Sequence, residues 1–242
     1  FSKPESGLCH GWRRKRLINR IADFHTHTFL SDGVLSPCEL IRRAVVSGYH
    51  LIGLTDHVGA ATMERVLKEL RTERDLAEKY WGIKVLVGVE LTHVPAQSVP
   101  ILAKEAKKLG ADLVVVHGET LVEPVEPGTN RAAVSCREVD VLAHPGLITR
   151  EEVELAAENH VFLELSARRG HALANGHVAS LARQTGAGLV LNSDSHQPED
   201  LLTWEFAYRV GRGAGLSAAE VEQVLAEAPR KLLRRLEKRG KN

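Results

Sequence analysis

Seven short runs of β-forming residues recur along the chain, each followed by a stretch with helical periodicity, and this alternation limits the possible folds more than any other feature. The runs are Ile21 to Phe24, Leu51 to Thr55, Lys84 to Val89, Asp112 to Val116, Asp140 to Ala143, Val161 to Leu165 and Gly188 to Asn192. Strands that alternate with helices build βαβ units, and these build parallel sheets. Between the runs, Ser36-Pro37-Cys38-Glu39 reads as a capping box with Pro at the first helical position. Leu40, Ile41, Ala44 and Val45 then share one face, and Gly48 is the stop. Thr149-Arg150-Glu151-Glu152 and Ser217-Ala218-Ala219-Glu220 repeat the start signal, and Pro100 to Leu109 is a further helix ending at Gly110. Leu225, Leu232, Leu233 and Leu236 predict an amphipathic tail, interrupted at Pro229, that packs on the rest of the domain. Seven strand–helix repeats in 242 residues suit a closed or nearly closed β/α barrel better than an open doubly wound sheet.

The length suits one such domain, and no Pro/Gly/Ser linker divides it. The chain opens on Phe1 instead of Met, so residues 1–20 read as an extension, trimmed or vector-derived in part, ahead of a single domain at 21–242. With 32 Lys plus Arg against 31 Asp plus Glu, the formal balance is +1, which excludes a strongly polyelectrolyte protein. The basic run Arg13 to Arg16 and the tail from Arg230 to Lys241 therefore read as solvated faces, with a weak nucleic-acid contact as the alternative. No apolar run approaches the roughly 18 residues that span a bilayer, so no membrane partner is expected. Cys9, Cys38 and Cys136 are odd in number and unpatterned, which fits a reducing cytoplasm.

Histidine is the compositional outlier at 12 residues, and its placement follows the strands. His25 and His27 come after the first run, His57 after the second and Glu90 after the third, followed by His117, His144 and Asp194. In a β/α barrel those strand ends converge on one face, where barrel enzymes build their sites. One such residue is ordinarily a hydrogen-bonded cap. The same placement on six of seven strands is not accounted for that way.

The blocks Asp23-Phe24-His25-Thr26-His27-Thr28-Phe29-Leu30-Ser31-Asp32-Gly33, Leu54-Thr55-Asp56-His57, Gly88-Val89-Glu90, Val116-His117-Gly118, Leu142-Ala143-His144-Pro145 and Asn192-Ser193-Asp194-Ser195-His196 stand in the order found in the PHP family. That family comprises polymerase-associated and histidinol-phosphatase-type phosphoesterases, and the chain resembles it from residue 21 to about 210. The resemblance implies a distorted seven-stranded (β/α)7 barrel, of the TIM-barrel-like PHP type, holding two to three divalent ions. It places one ion on His25, His27, Glu90 and Asp194, and a second on Glu90, His117 and His144. The third would take Asp32, His57 and His196, where many relatives carry a histidine near the position of Asp32. Glu90, Asp194 and His196 are the residues it marks as catalytic.

Six imidazoles and three carboxylates without a thiolate suit Zn²⁺, Mn²⁺ or Fe²⁺. Glu90 can bridge two cations, and cations about 3.5 to 4 Å apart turn a shared water into hydroxide and clamp the oxygens of a phosphoester. The expected activity is metal-dependent hydrolysis of a small phosphorylated metabolite or nucleotide, with histidinol phosphate suggested by the resemblance alone. Comparable barrel sites also hydrolyse amides and lactones. The rivals are a 3′ exonuclease like polymerase proofreading modules and a non-catalytic barrel subunit like that of RNase P. Arg168 and Arg169 follow the sixth strand and are candidates for bidentate phosphate contact, against the reading of a solvated pair. His171 is a weaker candidate for the leaving-group acid. The acidic stretch Gly118 to Arg131 is expected to wall the pocket and to disfavour a polyanion. Asp56 either orients an imidazole or caps the chain, Ser193 and Ser195 satisfy backbone groups, and His93 and His177 are left open.

Overall fold

The computed structural model describes residues 20–239, so Cys9, His10 and the run Arg13 to Arg16 lie outside the described residues. Its strands are β1 (Ile21–Thr26), β2 (Tyr49–Leu54), β3 (His57–Val58), β4 (Lys84–Leu91), β5 (Leu113–His117), β6 (Val141–Ala143), β7 (Phe162–Ser166) and β8 (Leu189–Asn192). They pair in parallel in the order β1-β2-β4-β5-β6-β7-β8. The two-residue β3 lies beside the top of β4, with His57 opposite Glu90. At the same end the chain beyond β8 returns to β1: His27 N–H donates to Ser195 O at 2.8 Å and Asp194 N–H to His25 O at 3.0 Å. The result is a nearly closed barrel of seven parallel strands with helices between them, as the alternation of runs predicts.

Side chains on a strand alternate between its faces, and this alternation carries the site. Leu86, Gly88 and Glu90 share one face of β4, and Leu113, Val115 and His117 share one face of β5. Val190, Asn192 and Asp194 continue the same pattern through β8. Leu86, Leu113, Val115 and Val190 join a buried cluster with Ala22, Phe24, Leu51, Val141 and Phe162. Each inward row therefore begins apolar and ends on a buried polar group. The opposite rows, including Val85, Val87, Val114, Val116, Leu163 and Leu165, form the main core beneath the helices. On β1 simple alternation would separate His25 from the side of Phe24. The register against β2 breaks between Asp23 and Thr26, where the histidines enter the site. Gly88 has a steric reason: a Cβ there would lie 2.6 Å from Leu113 O.

The barrel floor is closed by the last helix, Ala228–Arg239, whose Leu232 and Leu236 belong to the inner apolar cluster. It continues from Ala218–Glu222 through a π-helical turn, Gln223–Glu227. Pro229 lies directly after that π-helical turn, and the helical chain runs through it without interrupting the packed face. The Thr149 and Ser217 capping boxes are both complete. The helix Pro37–Val46 has only half of its box, because Glu39 turns to Arg43 at 2.8 Å and not back to Ser36. Among the described residues, no helix is long and apolar enough to cross a membrane.

Candidate metal centre

The nine positions of the expected ligand set meet at one end of the barrel. Four compact groups contain all of them: His25, His27 and Glu90; His25, His144 and Asp194; Glu90, His117 and His144; and His27, Asp32, His57 and His196. His27 thus stands with the third set as well as the first. The two oxygens of Glu90 face different neighbours. Oε2 lies 3.3 Å from His25 Nε2 and 3.6 Å from His27 Nε2, while Oε1 lies 3.6 Å from His144 Nε2. Asp194 Oδ1 is 3.3 Å from His27 Nε2, and its Oδ2 is 3.7 Å from His144 Nε2. Asp32, on the loop after β1, reaches His57 Nε2 at 3.4 Å and His196 Nε2 at 3.1 Å. It is an exposed carboxylate, whereas Glu90 and Asp194 are buried.

Several polar atoms of the cluster have no hydrogen-bond partner among the described residues. His25 Nε2, both ring nitrogens of His27, both oxygens of Glu90, and Nδ1 of His117 and of His144 are buried without a hydrogen bond. Buried polar atoms are nearly always paired, so a convergent group of unpaired donors fits a cation. The charges point the same way. Burial holds the Asp194 carboxyl well above the ordinary carboxylate range, with Glu90 and Glu164 adding to the rise. Burial also raises Glu90, but His25 and His57 outweigh it and hold the group well below its usual value. Burial, and then His57 and His25, drive His27 well below the ordinary imidazole range, which leaves it neutral as a ligand must be. The backbones of His144 and Asp194 adopt positive φ, 27° and 54°, a strain characteristic of residues whose side chains are aimed for function.

Surrounding contacts fix the rings. His25 Nδ1 meets Glu164 Oε2 at 2.8 Å, and Asn192 Nδ2 donates to the same oxygen at 2.9 Å. This is the carboxylate–imidazole pair that sets a ligand's tautomer. Glu164 was not singled out in the sequence, although its alternation on β7 with Phe162 and Ser166 points it inward. His57 Nδ1 lies 2.7 Å from Glu90 Oε2, leaving Nε2 toward Asp32. Asp56 does not orient an imidazole. It accepts from Thr28 N–H at 2.8 Å and from the hydroxyls of Thr28 and Ser31, so it holds the loop that carries Asp32. Ser193 and Ser195 bond backbone groups, as expected.

Of the arginine pair, Arg168 reaches the cluster: its guanidinium donates to Asp194 O at 3.2 Å and contacts His196 Nδ1. Arg169 is exposed, with no ion-pair partner among the described residues. His171 is buried and stacks on His144, with ring centroids 4.2 Å apart. Burial and then His144 bring it down to about 4, so it is neutral near pH 7 and is not a charged acid for a leaving group. In the loop after β5, Glu119 accepts from Gly128 N–H and Asn130 N–H, each at 2.9 Å, and Glu126 accepts from Ala96 N–H at 3.0 Å. These two carboxylates tie the wall together. Glu123 remains over the cluster beside His117 and His171, with His93 at its outer edge. His177 faces away into a bond with Ile148 O.

The wider likeness of the chain accords with this arrangement. A family model described as PHP domain matches residues 23–165. An uncharacterized protein of Methanocaldococcus jannaschii is 49% identical over 215 residues, covering 88% of this chain and 99% of that protein. The DNA polymerase/3′-5′ exonuclease PolX of Bacillus subtilis is 26% identical over 210 residues, 78% of this chain and 37% of that protein. A Thermoanaerobacter sp. protein named "Probable phosphatase" is 27% identical over 238 residues, 88% of this chain and 97% of its own length. A barrel whose strand ends carry these His, Glu and Asp blocks, and whose sequence matches the family model from β1 into β7, belongs to the PHP domain family.

Proposed function

We propose that the protein is a metal-dependent phosphoesterase that hydrolyses a small phosphomonoester. The observation that carries this reading is the convergence of unpaired buried donors around Glu90, with Arg168 at their edge. His25, His27, Glu90 and Asp194 would hold one divalent ion, Glu90, His117 and His144 a second, and Asp32, His57 and His196 a third. Bound Zn²⁺, Mn²⁺ or Fe²⁺ supplies a Lewis acid for the phosphoryl oxygens and lowers the pKa of a coordinated water. Glu90 aims one oxygen at each of two donor groups, which is what a bridging carboxylate requires. Glu164 keeps the His25 Nδ1 proton on the far side of the ring from the cluster. Arg168 supplies N–H donors for the phosphoryl oxygen that the ions leave uncovered. The relatives named as a phosphatase and as an exonuclease both bear on phosphoester cleavage, so the substrate must be decided at the mouth of the site.

That mouth favours a short substrate. Asp32 and the half-buried Glu123 face a cavity of about 420 Å³, lined also by Ser31, His57, Thr92 and His93 and, among the described residues, by no Lys or Arg. A long polyanion would meet carboxylates there. The test compares histidinol phosphate, nucleoside monophosphates and single-stranded oligonucleotides at equal metal loading. Monoesters should be cleaved faster, and Arg168→Ala should lose about 1.5–3 kcal/mol in kcat/KM, the scale of a charged hydrogen bond, with metal content unchanged. A preference for oligonucleotides that fades with salt would overturn this choice in favour of a nuclease. No hydrolysis of any phosphoester by loaded protein would overturn the enzyme reading.

A further inference from the structure

Glu123 stands outside the expected ligand set, yet its surroundings resemble those of a ligand. Its Oε2 lies 3.1 Å from His117 Nε2 and 3.3 Å from His93 Nε2, and its Oε1 lies 3.3 Å from His171 Nε2. Three imidazoles, His93 and His117 at the ends of β4 and β5 and His171 in the segment after β7, therefore aim the same nitrogen at one carboxylate. Among the described residues these rings are its ion-pair partners, and no Lys or Arg joins them.

The spacing is informative. Ligands 2.0–2.2 Å from one ion, at tetrahedral or octahedral angles, stand about 2.8–3.6 Å from one another. Most pairs assigned to one ion in the nine-residue set fall within this band, among them His25 with Glu90 at 3.3 Å, His27 with Asp194 at 3.3 Å, and Asp32 with His196 and His57 at 3.1 and 3.4 Å, while His25 with Asp194 is wider at 3.8 Å. The hydrogen-bonded pair His25 Nδ1 with Glu164 is shorter, at 2.8 Å. Glu123 and its three rings, at 3.1 to 3.3 Å, fall within the same band, and the His93 contact is also a hydrogen bond. His171 Nδ1 is committed to Thr120 Oγ1 at 2.7 Å, which leaves its Nε2 toward Glu123. His93 holds its ring there from a left-handed backbone, φ 50°, a conformation that a non-glycine residue adopts only when its surroundings require it.

Resting on the reading of the barrel end as a metal centre, we propose a further divalent-cation site made by His93 Nε2, His117 Nε2 and Glu123 Oε2, with His171 beside it. The three donors lie close enough to hold one ion, and His93 and Glu123 line the 420 Å³ cavity. His117 also belongs to the group with Glu90 and His144, so the outer ion competes with an inner one for this ring and is the weaker bound of the two.

The test is calorimetric titration of metal-free protein with Zn²⁺ and, separately, Mn²⁺. Wild type should show tight binding events followed by a weaker one. Glu123→Gln and His93→Gln should each weaken that last event tenfold or more and leave the tight events in place. Both side chains are partly exposed, at 36% and 43%, and an unchanged melting temperature confirms that the variants fold. Tight binding in wild type with unaltered isotherms in both variants would overturn the outer site alone. No cation binding by wild type would overturn it together with the nine-residue metal centre.

Discussion

Glu90 illustrates how far a single residue could be read before any coordinates. A lone carboxylate after the third run has no visible partner in sequence. Its position at the top of an inward row, Leu86-x-Gly88-x-Glu90, makes it face every other strand end. Glu90→Ala should abolish activity and lower the occupancy of two ions, whereas Asp32→Ala should chiefly empty the group with His57 and His196. Wild-type turnover and metal content in Glu90→Ala would refute the bridging assignment. Glu164 shows what sequence reading misses. Alternation within its strand points it inward, but its role depends on His25, 139 residues away, and no local signal names that partner. Glu164→Gln keeps the shape but removes the charge that fixes the His25 tautomer, and it should weaken metal binding about 10- to 100-fold. An isotherm like that of wild type would show that Asn192 and packing suffice to orient the ring. For Asp56 the sequence leaves two roles open, orienting an imidazole or capping the chain, and its bonds to Thr28 and Ser31 select the second.

At the scale of elements, start and stop signals were legible because capping is local. Ser36, Thr149 and Ser217 each begin a helix at the position read for them. What local chemistry could not supply was the path between elements. β3 is a two-residue pairing with the top of β4 beside Glu90, and the π-helical turn Gln223–Glu227 leads into the helix that carries Leu232 and Leu236 under the barrel. Leu232 is fully buried there. Leu232→Ala should cost about 2–5 kcal/mol of stability in a denaturant titration, since it opens a cavity in the floor, and it should leave metal content intact. A loss well under 1 kcal/mol would mean that the helix only leans on the barrel.

For the whole molecule, the barrel could be anticipated because the same placement recurs on strand after strand. Seven runs give seven parallel strands, and parallel strands put every C-terminal end on one face. The Asp32, His57 and His196 group closes with the spacing of the others, though it is the more exposed. The outer group around Glu123 was not legible, because a loop carboxylate has no fixed direction until its loop is tied down, here by Glu119 and Glu126. The proposed function requires that the unpaired donors at this end of the barrel hold cations. Elemental analysis of protein reconstituted in turn with Zn²⁺, Mn²⁺ and Fe²⁺, then freed of loose metal, tests it most directly. Two to three equivalents of at least one of these metals are predicted, and less than one equivalent of every metal would contradict the account.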